Sequence, residues 1–164
     1  MKKFAVIVAG GSGSRMGGAV PKQFMILCGR PVLWHTLEIF LKAFEDLKII
    51  LVVPAAYRPM ATRLVDESSG ADRIALVDGG DTRFHSVRRG LERVSSELGA
   101  EDGKETVIFV HDGVRCLVRV ELVRRCYEQA LQLGSAIPVA DCRDSVRLAE
   151  DEGKSKPIDR SRIK

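Results

Sequence analysis

No stretch of this 164-residue chain comes near the roughly 20 apolar residues that span a bilayer. The apolar run at the start (4–9) gives way at once to glycines and is too short for a signal-peptide core. Neither a membrane anchor nor a secretion signal is expected, and the cytoplasm is the expected compartment. Cysteines are few and form no C-x-x-C pair, and no histidine lies at metal-ligand spacing from Cys28, Cys116, Cys126 or Cys142. Structural zinc is therefore not expected, and the thiols are expected to be reduced. Internal repeats and low-complexity tracts are absent. Positive charge is not massed anywhere: the net charge is +4, and arginines alternate with acids along the whole chain. That balance suits a small anionic substrate, and no nucleic-acid polymer is expected as a partner.

What is present is an alternation of apolar runs and helical periodicities. Residues 4–8, 48–53, 73–77 and 105–110 are β-prone runs, and 135–139 is a shorter fifth. Between them, 32–44, 83–98 and 120–133 place apolar residues at helical spacing, and 59–66 suits a short helix. Strands apolar on both faces predict a mostly parallel sheet sandwiched by helices, an α/β fold of three layers. Ligands of such sheets bind beyond the carboxyl ends of the strands. Three polar, glycine-bearing segments fall at those ends: 9–18, 78–81 and 111–113. They should converge on one crevice. After residue 139 the chain becomes charged and poor in apolar residues, with exposed-strand alternation at 145–148. The chain thus divides into a nucleotide-binding unit (1–139) and a projecting arm or dimerisation segment (140–164).

The opening loop, VAGGSGSRMGGAVPKQF (8–24), has the composition of a phosphate cradle. It is not a Walker loop, because Ala19-Val20 follows Gly18 where Lys-Ser/Thr is required. It is not a dinucleotide fingerprint either: Met16 replaces the third glycine, Pro21 blocks helix propagation, and no acid closes the second strand. NAD chemistry is disfavoured on these grounds. What remains is a long glycine-rich loop with two cations, Arg15 and Lys22. Its backbone N–H groups can turn toward phosphate oxygens, and the cations can neutralise charge that develops during transfer.

These residues carry a resemblance. AGGSGSRM (9–16), PKQF (21–24), LCGRPVL (27–33), VDGGDTRFHSV (77–87), VHDGVR (110–115), AIPV (136–139) and Asp159-Arg160 stand in the order of the sugar-type nucleotidyltransferases. More narrowly, the chain resembles the 2-C-methyl-D-erythritol 4-phosphate cytidylyltransferase family. It departs from that pattern at Cys116, where proline is usual, at Gly113, where alanine is usual, and in a longer stretch around Ser145. The family pattern continues past Asp159-Arg160 into a segment that supplies a lysine and an acid, so this chain is expected to lack a C-terminal part.

The resemblance implies a Rossmann-like nucleotidyltransferase that transfers a cytidylyl group from CTP to 2-C-methyl-D-erythritol 4-phosphate in isoprenoid precursor biosynthesis. It implies Arg15 and Lys22 as catalytic cations at the α-phosphate. CTP would lie against Ala9, Gly10, Gly11, Ser12, Gly13, Ser14, Gly80, Asp81, Ser86 and Gly113. Asp112 would face Mg²⁺ or another divalent cation, which takes hard oxygen ligands and keeps several waters. Arg115, Ser145 and Arg160 would bind the acceptor, with the arm acting across a homodimer. For Asp81 and Ser86 a helix N-cap is the competing role, and His111 reads as a packed neighbour. Ribitol 5-phosphate is a rival acceptor, and a nucleotide-binding domain without turnover is the non-enzymatic alternative.

Overall fold

In the computed structural model of the chain, which describes residues 1–11, 20–99 and 106–163, strand and helix alternate as the apolar runs predict. The sheet strands are β1 (Lys2–Val8), β4 (Leu47–Val53), β5 (Ile74–Asp78) and β6 (Thr106–Asp112). All pair in parallel, in the order β5-β4-β1-β6. Val8 is level with Val52 and with Asp112, and Val53 is level with Asp78. The four strands therefore end together along one rim.

The side-chain period of two explains the layers. Ala5 and Ile7 of β1, with Ile49, Leu51 and Val53 of β4, face α1 (Val32–Ala43), α2 (Arg58–Asp66) and α4 (Val120–Leu133). Phe4, Val6 and Val8, with Ile50 and Val52, face α3 (Arg83–Glu97) on the other side. Each fully buried Leu, Ile or Val contributes about 1.5–3 kcal/mol, so these two central strands anchor both faces. Gly90 lets α3 approach: a Cβ there would lie 2.4 Å from Val6 Cγ1. The result is a three-layer α/β sandwich.

Two short elements escape the periodic pattern. β2 (Ile26–Leu27) and β3 (Arg30–Pro31) form a hairpin around Cys28 and Gly29, whose φ values are 48° and 79°. Such two-residue turns with positive φ at both positions suit a tight hairpin. Near the C-terminus, β7 (Arg147–Ala149) and β8 (Ser155–Pro157) form an exposed antiparallel hairpin.

One expected strand is absent. Residues 135–139 run as irregular chain, with Ile137 82% and Val139 64% exposed. The segment is apolar enough for a strand but pairs with none of the described strands, and an unpaired strand has no ladder to hold it. β6 is covered on one face only, because the cluster under α3 is built on β1, β4 and β5 and does not reach it. Phe109 packs into the α1 side, while Ile108 and Val110 remain 38% and 45% exposed.

Candidate active site

The rim where the strands end gathers the three polar segments. Beyond β1, the Ala9 N–H donates to the Val52 carbonyl at 2.9 Å, and the Gly113 N–H beyond β6 donates to the Val8 carbonyl at 2.8 Å. A Cβ on Gly113 would stand 3.1 Å from the Ala9 Cβ, so the β1 and β6 exits are in contact. Beyond β5, the Gly79 N–H donates to the Val53 carbonyl. The link across the rim is Ser86, in the first turn of α3 and 3% exposed. Its Oγ accepts from the Gly80 N–H at 3.2 Å and lies within 3.4 Å of the Gly80 carbonyl. A Cβ on Gly10 would sit 3.7 Å from the same oxygen. Of the expected convergence of 9–18, 78–81 and 111–113, residues 9–11 meet 78–81 and 111–113, and 12–18 lie outside the described residues.

The N-cap role that competed with base reading for Asp81 and Ser86 belongs to Thr82. Its Oγ1 accepts from the His85 N–H at 3.2 Å, which satisfies one of the free donors of the first turn. Asp81 is exposed beside it. Gly80 tolerates no side chain, because a Cβ would come within 2.4 Å of the His85 Cβ.

Asp112 ends β6 with a 25% exposed side chain held by two arginines. Arg83 Nε donates to its Oδ1 at 2.9 Å and Arg115 Nε to its Oδ2 at 2.8 Å. Burial alone would raise its pKa, but the bonds from Arg115 and Arg83 outweigh burial and hold the carboxyl below its ordinary value. His111 packs on Phe40 with ring centroids 5.0 Å apart, and its Nε2 lies 3.2 Å from the Arg115 carbonyl. Burial depresses the His111 pKa, which favours the neutral ring of a packed neighbour.

The opening loop rejoins the rim through a 3₁₀ turn, Lys22–Phe24. Gln23 is 1% exposed and its Nε2 donates to the Ala9 carbonyl at 2.9 Å, which ties the exit of the loop to its entrance. Lys22 is thereby held at the surface beside the rim. Ser12, Gly13, Ser14 and Arg15 lie outside the described residues.

The arm is closed on itself. The Ile158 N–H donates to the Val146 carbonyl, Arg147 bonds Ser155, and Arg160 Nη1 donates to the Arg143 carbonyl at 3.2 Å. None of these bonds brings Ser145 or Arg160 to the crevice within one protomer. A groove of about 1090 Å³ runs along β6 and α4, mostly apolar, and meets the crevice only at Arg83, Asp112 and Arg115.

Sequence reading missed four residues that shape this rim. Thr36 is fully buried, and its Oγ1 donates to the Gly113 carbonyl at 2.7 Å. Arg89 Nη1 donates to the Gly79 carbonyl at 2.7 Å, and Arg58 pairs with Asp78 at 2.6 Å. Arg83 is the fourth. A lone threonine in an apolar helix and arginines scattered among acids carry no spacing signal.

Does the rim fit a metal? Among the described residues no three His, Cys, Asp or Glu side chains cluster to enclose one. One ionised carboxylate at a strand end instead fits a hard cation that arrives with a triphosphate and retains waters. Asp112 is the residue that would hold it.

A parallel sheet with a glycine-rich first loop, a carboxylate at the adjacent strand end and helices on both faces is the architecture of an α/β nucleotidyltransferase, the class of the solved structures it superposes on. The family model for 2-C-methyl-D-erythritol 4-phosphate cytidylyltransferase matches residues 3–164. A protein of that name from Bacteroides thetaiotaomicron is 43% identical over 164 residues, all of this chain and 71% of that protein. One from Porphyromonas gingivalis is 39% identical, over 98% of this chain and 68% of its own length. Among solved structures, 4-diphosphocytidyl-2C-methyl-D-erythritol synthase from Anaerococcus prevotii superposes with a TM-score of 0.78 at 25% identity, covering 99% of this chain and 66% of that one. This chain thus spans about two thirds of the length of the proteins it matches. It belongs to the 2-C-methyl-D-erythritol 4-phosphate cytidylyltransferase family, and cytidylyl transfer in isoprenoid precursor biosynthesis is the activity this membership supports.

Proposed function

We propose that this chain carries out its family's reaction at the rim of β1, β5 and β6: CTP and 2-C-methyl-D-erythritol 4-phosphate give 4-diphosphocytidyl-2-C-methyl-D-erythritol and pyrophosphate. A phosphate oxygen of the acceptor attacks the α-phosphorus in line. The new bond is O–Pα, the bond broken joins Pα to the β-phosphate bridging oxygen, and pyrophosphate leaves with that electron pair. No side-chain nucleophile is required, so positioning and charge neutralisation carry the catalysis.

The observation that carries this reading is Ser86 standing between Gly10 and Gly80 while an ionised Asp112 faces the same crevice. Gly80, Asp81 and the Ser86 hydroxyl read the cytosine edge. Ala9 through Ser14, with Gly113 behind them, cradle the phosphates. Arg15 and Lys22 neutralise the α-phosphate as its charge grows. Asp112 holds the divalent cation, which, when bound, supplies charge neutralisation across the triphosphate. Arg115 takes the acceptor's phosphate in a guanidinium fork. Residues 1–139 form the nucleotide unit, and 140–164 form an arm that carries Ser145 and Arg160 to a second copy in a homodimer. The cytoplasm is the assigned compartment; its reducing conditions agree with four free cysteines.

Nucleotide selectivity tests the base-reading half. Calorimetry with Mg²⁺ and CTP, UTP, ATP or GTP should give binding to CTP first, with Ser86→Ala reducing the preference for CTP over UTP. Equal affinity for all four nucleotides would remove the rim as a cytosine site.

A further inference from the structure

We infer that Arg83 is a further substrate-positioning residue: it holds Asp112 in the nucleotide-free chain and turns its charge to the nucleotide phosphates when Asp112 is claimed by a cation. The inference rests on the placement of the nucleotide at this rim.

The fold sets up the argument. Arg83 begins α3, directly after the turn that leaves β5, whereas Asp112 ends β6. β5 and β6 are the two outer strands of the described sheet, with β4 and β1 between them. Three strand spacings separate them, roughly 14 Å at about 4.8 Å each. α3 packs on β4 and β1, which carries Arg83 inward from the β5 edge to meet Asp112 beside the carboxyl end of β1. The glycine-rich loop departs from that same end. A nucleotide with its base at Gly80 and Ser86 and its phosphates over the β1 exit meets this bridge.

The chemistry of the bridge points to displacement. Each oxygen of Asp112 already accepts a hydrogen bond from a guanidinium, Oδ1 from Arg83 and Oδ2 from Arg115. A hard cation binds carboxylate oxygen at about 2.0–2.1 Å and competes for the same lone pairs. Only Nε of Arg83 is used; its terminal nitrogens bond no other described residue, and its side chain is 63% exposed. A released Arg83 keeps its full fork for phosphate oxygens. It lies two residues after Asp81 and three before Ser86, so the element that reads the base also carries the phosphate ligand. Arg115 pairs within its own turn, three residues from Asp112, and spans nothing. Among the described residues, Arg83 alone couples the β5 side of the crevice to the β6 side through this carboxylate.

The test compares wild type, Arg83→Met and Arg83→Lys, each first shown to melt cooperatively. CTP binding is read by calorimetry over a range of Mg²⁺ concentrations. Arg83→Met should reach half-maximal CTP binding at several-fold less Mg²⁺, since Asp112 has lost a competitor, and at saturating Mg²⁺ should bind CTP about 10-fold more weakly, the scale of one charge-assisted contact. Arg83→Lys should recover part of the CTP affinity. An unchanged Mg²⁺ requirement would overturn the hold on Asp112, and unchanged CTP affinity at saturating Mg²⁺ would overturn the transfer to phosphate. A folded wild-type chain that binds no CTP at any Mg²⁺ concentration would instead refute the nucleotide reading.

Discussion

Replacing Thr36 by valine removes one hydrogen and one oxygen's worth of polarity from a site with no solvent access. Thr36 is 0% exposed, and its Oγ1 gives the Gly113 carbonyl a 2.7 Å hydrogen bond across 77 residues of sequence. Valine keeps the branched shape and the rotamer restriction of threonine in α1, so packing is nearly preserved. What is lost is the donor. A buried acceptor left without its partner costs about 1–3 kcal/mol. With a urea m-value near 2 kcal/mol/M for a small domain, the unfolding midpoint should fall by about 0.5–1.5 M. Thr36→Ser supplies the control: it keeps the hydroxyl and loses one methyl, about 1 kcal/mol. The two variants should be comparably destabilised but should differ in nucleotide binding. Only valine frees the Gly113 carbonyl and loosens the turn that presents Asp112, so only valine should weaken Mg²⁺-dependent CTP binding several-fold. A midpoint for Thr36→Val within about 0.2 M of wild type, or equal CTP affinity in the two variants, would refute the reasoning.

Further consequences are equally direct. Gly80→Ala puts a Cβ 2.4 Å from the His85 Cβ, so the β5–α3 turn has to shift, and CTP affinity should fall at least 10-fold with a smaller loss of stability on denaturation. Lys22→Ala should lower turnover far more than it weakens CTP binding; equal losses would mark Lys22 as a ground-state ligand only. Asp112 has a depressed folded pKa, so the stability it contributes is complete above its ordinary value of 3.8 and is lost as pH falls through the lower folded value. The stability gap between wild type and Asp112→Asn should accordingly be flat near neutrality and shrink below pH 3.8 in acid titrations; a gap that closes near pH 6 would point to a different group. If the arm completes a second copy's site, Lys22→Ala and Arg160→Ala subunits mixed into a verified heterodimer should regain activity that neither homodimer shows.

Most of the layered fold is legible in the sequence because its two central strands are apolar without interruption. Six of the seven residues of β4 are buried, and nothing but a doubly covered strand accounts for such a run. The helices declare themselves by period. What periodicity cannot show is whether an apolar segment finds a partner. Residues 135–139 look like a strand, yet a strand exists only by pairing, and Ile137 stands in solvent. The hairpin of β2 and β3 is too short to have a period at all. The site follows the same division. Its glycines and Lys22 stand in ordered motifs, whereas Thr36, Arg83 and Arg89 act across the fold, from 10 to 77 residues away from the groups they hold. The competing cap role of Asp81 and Ser86 could not be decided from the sequence, since several polar side chains lie near the start of the helix, and only backbone geometry chooses Thr82.

The central claim is that this rim transfers a cytidylyl group to a sugar-alcohol phosphate. Pyrophosphate release, followed with Mg²⁺, CTP and either 2-C-methyl-D-erythritol 4-phosphate or ribitol 5-phosphate, tests it most directly. Release with the methylerythritol acceptor, abolished in Lys22→Ala, is the predicted result. Release with ribitol 5-phosphate alone, or none with either acceptor from a folded chain that binds CTP, would contradict it.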